Sequence, residues 1–141
     1  MARQLQVRLR LKLPNDARSV ALARRLVRCA LGSLDVTEDC ADDLVLAVSE
    51  ACTNVLDHAA LDEEYEVIAG IEGSLCVLEI ADDGPGIAVR PRAAVGFDDL
   101  DAESGRGLAI IEALVDSVEF APGSDCGLVV RMSKELVYRA A

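Results

Sequence analysis

At 141 residues and 52% hydrophobic, the chain fits one compact domain spanning residues 1–141, with a real core and little room for a second. Aromatics make up 3% with no Trp, and the formal net charge is −11. Base-stacking platforms and cationic phosphate contacts are therefore both scarce, so direct nucleic-acid binding is disfavoured and a protein, metal or Mg-nucleotide partner fits better.

The charge is unevenly placed. Residues 1–31 carry Arg3, Arg8, Arg10, Lys12, Arg18, Arg24, Arg25 and Arg28 against one acid, Asp16, and the remainder is strongly acidic. Either these are solvated faces, or the surface is dipolar and steers a partner or a second copy of the chain. Cys29, Cys40, Cys52, Cys76 and Cys126 are odd in number and form no C-x-x-C. They suggest neither a disulfide framework nor a zinc site, and point to a reducing cytoplasm. QLQVRLRLKL alternates charge with apolar residues, unlike a signal peptide, and no segment approaches the ~20 apolar residues that cross a membrane. A cytoplasmic protein without membrane contact is expected.

In chain order, Leu5, Val7, Leu9, Leu11 and Leu13 alternate with polar residues, the period of a half-buried strand, and Pro14-Asn15-Asp16 stops it. Asn15 or Asp16 is placed to cap a helix with apolar positions Val20, Ala23, Val27, Ala30 and Leu31, ended by Gly32. Thr37 looks like the next cap. From it Leu44, Val48, Ala51, Cys52 and Val55 form one stripe, predicting a helix of roughly five to six turns to about Ala59. Tyr65, Val67, Ala69 and Ile71 alternate again, Glu72-Gly73-Ser74 signals a turn, and LCVLEIA reads as the second strand of an antiparallel hairpin. DDGPGI breaks that strand. Residues 88–104 have no clean period, and so long a loop in a compact chain is functional or disordered. Helical character returns from Gly105 to Val115, and VEF and LVVRMS bracket APGSDCG as a second hairpin. The order suits an α/β (α+β) two-layer sandwich, with helices on one face of a mainly antiparallel, mixed sheet. Hairpins in place of parallel crossovers argue against a Rossmann fold.

Three short stretches carry candidate chemistry. Glu50, Asn54 and His58 stand four residues apart and trace a slow spiral along one side of the long helix, a line suited to a ligand-lining wall. A carboxylate there takes a proton or holds water, and an amide oxygen one turn on coordinates Mg²⁺. Taken alone, the spacing equally describes a solvent-facing surface. DDGPG ends a strand whose alternate residues Cys76, Leu78 and Ile80 share a face with Asp82. If that face meets the helices, Asp82 needs a donor, and an adenine amino group is one candidate. Gly84 and Gly86 permit close approach. Taken alone, DDGPG is also an ordinary Asp-Gly turn. SGRGLAII reads as a glycine loop feeding a helix, whose exposed N–H groups suit an anion, with Arg106 to add a charge-assisted contact. It serves equally well as a tight helix entry.

The joint order is more specific: E-x-x-x-N-x-x-x-H on a helix, D-x-G-x-G after a strand, a long loop, then G-x-G-L through Leu108. Over about residues 15–135 it resembles the GHKL, or Bergerat-fold, ATPases, and most of all their small stand-alone branch, the anti-sigma factor serine/threonine kinases of bacterial partner-switching systems. The resemblance implies ATP and Mg²⁺ as cofactors, a sigma factor and an anti-sigma factor antagonist as partners, and a homodimer. By matching position, Glu50 is similar to the general base, Asn54 to the Mg²⁺ ligand, and Asp82 to the adenine-reading acid, with Gly84 and Gly86 shaping the base pocket. Residues 88–104 correspond to the ATP lid, Gly105 and Gly107 to the phosphate-contacting turn, and His58 to a helix-end histidine with a structural role. One departure is Gly127-Leu128, where relatives often have Gly-Thr near the base pocket. Two alternatives follow: a non-catalytic ATP-binding or nucleotide-independent regulatory module of the same fold, and an ATPase subunit of a larger machine.

Overall fold

The computed structural model describes residues 6–58, 64–82, 102–122 and 128–140. In chain order the elements are β1 (Gln6–Pro14), α1 (Ala17–Ser33), α2 (Glu38–His58), β2 (Glu64–Glu72), β3 (Leu75–Asp82), α3 (Ala102–Leu114), β4 (Ser117–Pro122) and β5 (Leu128–Glu135). Each expected element is present, and local chemistry sets the boundaries. Asp16 is the cap of α1: its backbone is extended, and its carboxylate accepts from the Arg18 N–H at 2.8 Å. Gly32 does not end that helix, which runs one residue further to Ser33. Asp35 then turns the chain at a positive φ of 63°, a conformation Asp tolerates better than most residues. Thr37 Oγ1 accepts from the Cys40 N–H at 3.4 Å at the start of α2.

The sheet order is β1-β2-β3-β5-β4, and all four neighbouring pairs are antiparallel. The mixed sheet expected from sequence is thus corrected to a wholly antiparallel one among the described residues. Connectivity explains it. Two successive helices, α1 and α2, return the chain to the end of the sheet it left, so β2 runs against β1. The single helix α3 leaves β4 pointing the same way as β3, but β5 folds back between them, and no parallel neighbours arise. The β2–β3 turn closes with Glu72 opposite Leu75 and places Gly73 at φ 61°, where a side chain would be strained.

All three helices lie on one face of the sheet. Val27 and Leu31 of α1 and Leu44, Val48 and Val55 of α2 meet Val67, Leu78, Ile80, Val130 and Met132 in one continuous core. The central helix α2 touches α1, α3, β3 and β5, so residues along it are within reach of every layer. Behind β5 the tail straps two corners together. Thr37 N–H donates to Val137 O and Arg139 N–H to Asp35 O, each at 2.8 Å, while the Tyr138 hydroxyl reaches Gly73 O at 2.5 Å. The basic residues Arg8, Arg10 and Lys12 point from β1 to the uncovered face, and Arg24, Arg25 and Arg28 lie exposed on α1. No helix among the described residues is long and apolar enough to cross a membrane.

Candidate active site

On α2, a step of four residues advances the helical direction by about 40°. Glu50 is half-buried, and Asn54, one turn on, is only 6% exposed. A buried amide needs polar company. At α3, Gly107 packs directly over this pair. A Cβ at Gly107 would stand 3.2 Å from Glu50 Oε2, 3.3 Å from Asn54 Oδ1 and 3.4 Å from Asn54 Nδ2. The sequence places these residues more than fifty positions apart, and the fold brings them into contact.

The setting of that contact differs from the sequence expectation in one respect. The sequence expects a glycine loop at 104–107 feeding a helix, with helical character from Gly105 and the lid running to residue 104. In the structure α3 already begins at Ala102, so Gly105, Arg106 and Gly107 lie within its first two turns. The correction sharpens the role of Gly107. Glycine inside a helix costs roughly 0.8–1.0 kcal/mol relative to alanine, and the space between Glu50 and Asn54 accounts for its presence here. Leu108, next along, is buried.

Asp82 closes β3. The alternation Cys76, Leu78, Ile80, Asp82 holds along the strand, so the carboxylate sits on the helix-facing side, 5% exposed. Its register partner on β2 is Tyr65. Among the described residues, the buried polar and charged side chains are Ser19, Asn54 and Asp82, two of them singled out from the sequence as site residues. A groove of about 610 Å³, lined by Arg8, Arg10, Ile68, Leu75, Glu79 and Arg131 among others, lies on the opposite face of the sheet and contains no candidate residue.

The donor set fits a Mg-nucleotide. Glu50 and Asn54 offer hard oxygens, and no three His, Cys, Asp or Glu side chains cluster as a metal cage among the described residues. Mg²⁺ requires no such cage, since it is held by one or two protein oxygens together with substrate phosphates. The gap over Gly107 leaves backbone, with no side chain, facing these oxygens. With that geometry in place, comparison with known proteins is decisive: residues 13–134 match the family described as Histidine kinase-like ATPase domain.

The chain belongs to this ATPase-domain family. It is 28% identical over 136 residues to the serine-protein kinase RsbW of Bacillus cereus (strain AH820), a match spanning 90% of this chain and 84% of the relative. Against the serine-protein kinase RsbW of Bacillus velezensis (strain DSM 23117 / BGSC 10A6 / LMG 26770 / FZB42) identity is 31% over 136 residues, covering 89% of this chain and 84% of the relative. Among solved structures, the crystal structure of the RsbU and RsbW domains of Rv1364c from Mycobacterium tuberculosis is similar with a TM-score of 0.71 at 22% identity. That likeness covers 96% of this chain and about a third, 34%, of the other, and it shows the fold.

Within this ATPase domain, Gly84, Gly86, Gly127 and residues 88–101 of the expected lid lie outside the described residues, and His58 is described only as the last residue of α2. Sequence reading missed one part of the site's surroundings. The Tyr65 hydroxyl lies 2.6 Å from Ser19 Oγ, and Ser19 in turn donates to Asp16 O at 2.7 Å. Burial pushes the Tyr65 phenol up to about 12, eased by the bond to Ser19 and reinforced by the neighbouring Cys52 thiol. Burial likewise pushes Cys52 up to about 12, the contact with Tyr65 acting against it. The signal that marks Ser19 is its place at four-residue spacing before Ala23, Val27 and Leu31, the buried stripe of α1, where the sequence reading sets Val20 instead.

Proposed function

We propose that the chain is an ATP-binding anti-sigma factor with serine/threonine protein kinase activity, phosphorylating an anti-sigma factor antagonist and sequestering a sigma factor. When the antagonist is phosphorylated it no longer competes, and the sigma factor is held. In this reading the protein works as a single-domain cytoplasmic homodimer. The observation that carries the proposal is the close approach of Gly107 to Glu50 and Asn54, so close that a Cβ there would stand 3.2–3.4 Å from their polar atoms, which brings two sequence motifs together in one wall. Kinship with proteins named serine-protein kinase RsbW adds to it.

Mg-ATP, when bound, supplies the γ-phosphoryl group and the metal charge that offsets negative charge building up during transfer. The chain supplies position and proton handling. Glu50, half-buried at the mouth of the wall, accepts the proton of the incoming seryl or threonyl hydroxyl. Asn54, buried one turn on, would hold the metal through its amide oxygen. Asp82, at the end of β3, would accept a hydrogen bond from the adenine amino group, and Gly84 and Gly86 are assigned to the base pocket by matching position alone. Gly107 lets the α3 backbone come close to the phosphates, helped by Gly105, Arg106 and the Leu108 amide near the positive end of the helix.

The test is phosphotransfer from γ-labelled ATP with Mg²⁺ to a purified candidate antagonist, with Glu50→Gln alongside. Labelled phosphoserine or phosphothreonine in the antagonist, reduced about a hundredfold or more in the variant while ATP still binds, is the expected result. ATP binding without transfer to any antagonist would point instead to a regulatory binding module.

A further inference from the structure

Tyr65 is wholly buried, yet its hydroxyl is polar and tied down. A serine hydroxyl has one hydrogen. Ser19 commits that hydrogen to the carbonyl oxygen of Asp16 at 2.7 Å, so across the 2.6 Å contact Tyr65 is the donor and Ser19 Oγ the acceptor. The direction of the chain is therefore set: Tyr65 to Ser19, Ser19 to the cap of α1. The Cys52 thiol of α2 borders the same phenol, each group affecting how the other titrates. The ring is thus borne by β2 and tied to α1.

What this ring stands beside is Asp82. The two are direct register partners in antiparallel strands, and both side chains are buried on the helix-facing side of the sheet. Directly opposed residues have Cβ atoms about 4.5–5.5 Å apart, near enough for an aromatic ring to limit where its neighbour's carboxylate rests. An Asp side chain has a broad terminal torsion and does not hold its own orientation. A clamped ring directly opposite narrows the positions open to that carboxylate.

We infer that Tyr65, locked by Ser19, is a positioning residue that aims the Asp82 carboxylate and so sets discrimination between amino-purine and oxo-purine nucleotides. The inference rests on the proposed role of Asp82 as reader of the adenine amino group, and it adds a device by which the start of α1 is coupled to base choice. A carboxylate accepts from the amino group of ATP but meets a carbonyl oxygen in inosine triphosphate (ITP), and a site built around a hydrogen bond rejects the analogue that lacks it. Loosening the aim of the carboxylate weakens that selection and leaves the binding of phosphates untouched.

The experiment measures dissociation constants of Mg-ATP and Mg-ITP by calorimetry for the full chain and for Tyr65→Phe, Ser19→Ala and Asp82→Asn. Tyr65→Phe keeps the ring and removes the hydroxyl, while Ser19→Ala removes the same bond from its other end. The expected result is that wild type prefers ATP and Asp82→Asn abolishes the preference. Tyr65→Phe and Ser19→Ala each lower the ATP-to-ITP preference by about threefold or more, with ITP affinity unchanged. A purely structural role weakens both nucleotides equally, and that outcome overturns the inference, as does an unchanged preference in two folded variants. If Asp82→Asn abolishes the preference and the clamp variants keep it, the inference fails and the reading of Asp82 stands. If wild type binds ATP and ITP alike, the reading of Asp82 fails and the inference with it. Should one clamp variant fail to fold, the other decides by the same criterion.

Discussion

Gly107 faces Asn54 so closely that a single methyl group at residue 107 would stand 3.3 Å from the amide oxygen and 3.2 Å from Glu50 Oε2. The pairing separates two effects that usually travel together. Gly107→Ala adds helix propensity worth up to about 1 kcal/mol, but it forces the carboxylate and the amide to shift by a few tenths of an ångström. Catalytic geometry is sensitive at that scale. Gly107→Ala is expected to leave the melting temperature unchanged or raised, while phosphotransfer falls at least tenfold. A variant as active as wild type, measured in the same transfer assay, would count against a working site at this contact.

Glu50 and Asn54 share one wall but are assigned different work, and metal dependence separates them. Asn54→Ala removes the amide oxygen, so ATP affinity measured with and without EDTA should become nearly the same. Glu50→Gln retains the shape and should keep the full Mg²⁺ dependence of binding while losing transfer about a hundredfold or more. Calorimetry on both variants, with and without Mg²⁺, gives four values that distinguish a base from a metal ligand. Equal loss of Mg²⁺ dependence in both would merge the two roles and refute the division.

The elements themselves were legible because alternation and helical stripes report burial directly. Leu9, Leu11 and Leu13, or Cys76, Leu78 and Ile80, state which side of a strand faces the core, and the structure places each accordingly. Asp82 was legible for the same reason: it occupies the next inward position of an apolar series, and a carboxylate there calls for an explanation. Less legible was the start of α3. Glycines at 105 and 107 argue locally for a loop, and only the approach of Glu50 and Asn54 from another helix shows why glycine stands inside a helix. The Ser19–Tyr65 bond was invisible, since a serine among arginines and a tyrosine in an apolar strand each have an ordinary local reading, and their meeting depends on packing between α1 and β2. Sheet direction was likewise open, because the position of β5 between β3 and β4 is a property of the whole topology.

The cysteines should sort by exposure. Cys29 is exposed, whereas Cys40, Cys52 and Cys76 are buried, and burial pushes both Cys52 and Cys76 up to about 12. Thiolate is the reactive form, so a raised thiol is doubly protected by access and by ionisation. In a chain carrying Cys126→Ser, one equivalent of a thiol reagent should react quickly at neutral pH, and peptide mapping should find it on Cys29. The other three thiols should react only on unfolding in denaturant. Rapid native-state labelling of Cys52 would contradict its packing against Tyr65.

Alkaline stability tests the same buried groups from the other side. From ordinary values of 9.0, Cys52 and Cys76 are pushed up to about 12 in the folded chain, mainly by burial, and Tyr65 rises from 10.0 to about 12 for the same first cause. These acids are neutral when protonated, so the folded state keeps protons that the unfolded state releases. Above about pH 9 the unfolded chain binds fewer protons, and stability therefore falls as pH rises. The loss begins near the unfolded thiol value and continues towards about 12, each group contributing at most about 1.4 kcal/mol per pH unit. Around pH 7 these three groups contribute almost no slope, because both states keep them protonated. Urea midpoints measured from about pH 8 to 9.5, where lysines keep most of their charge, should decline, and Cys76→Ala should show a shallower decline than wild type. The comparison of slopes is the informative quantity, because the substitution also changes packing and so shifts every midpoint by its own constant. A slope in Cys76→Ala as steep as in wild type would mean that the thiol is not held neutral by the fold.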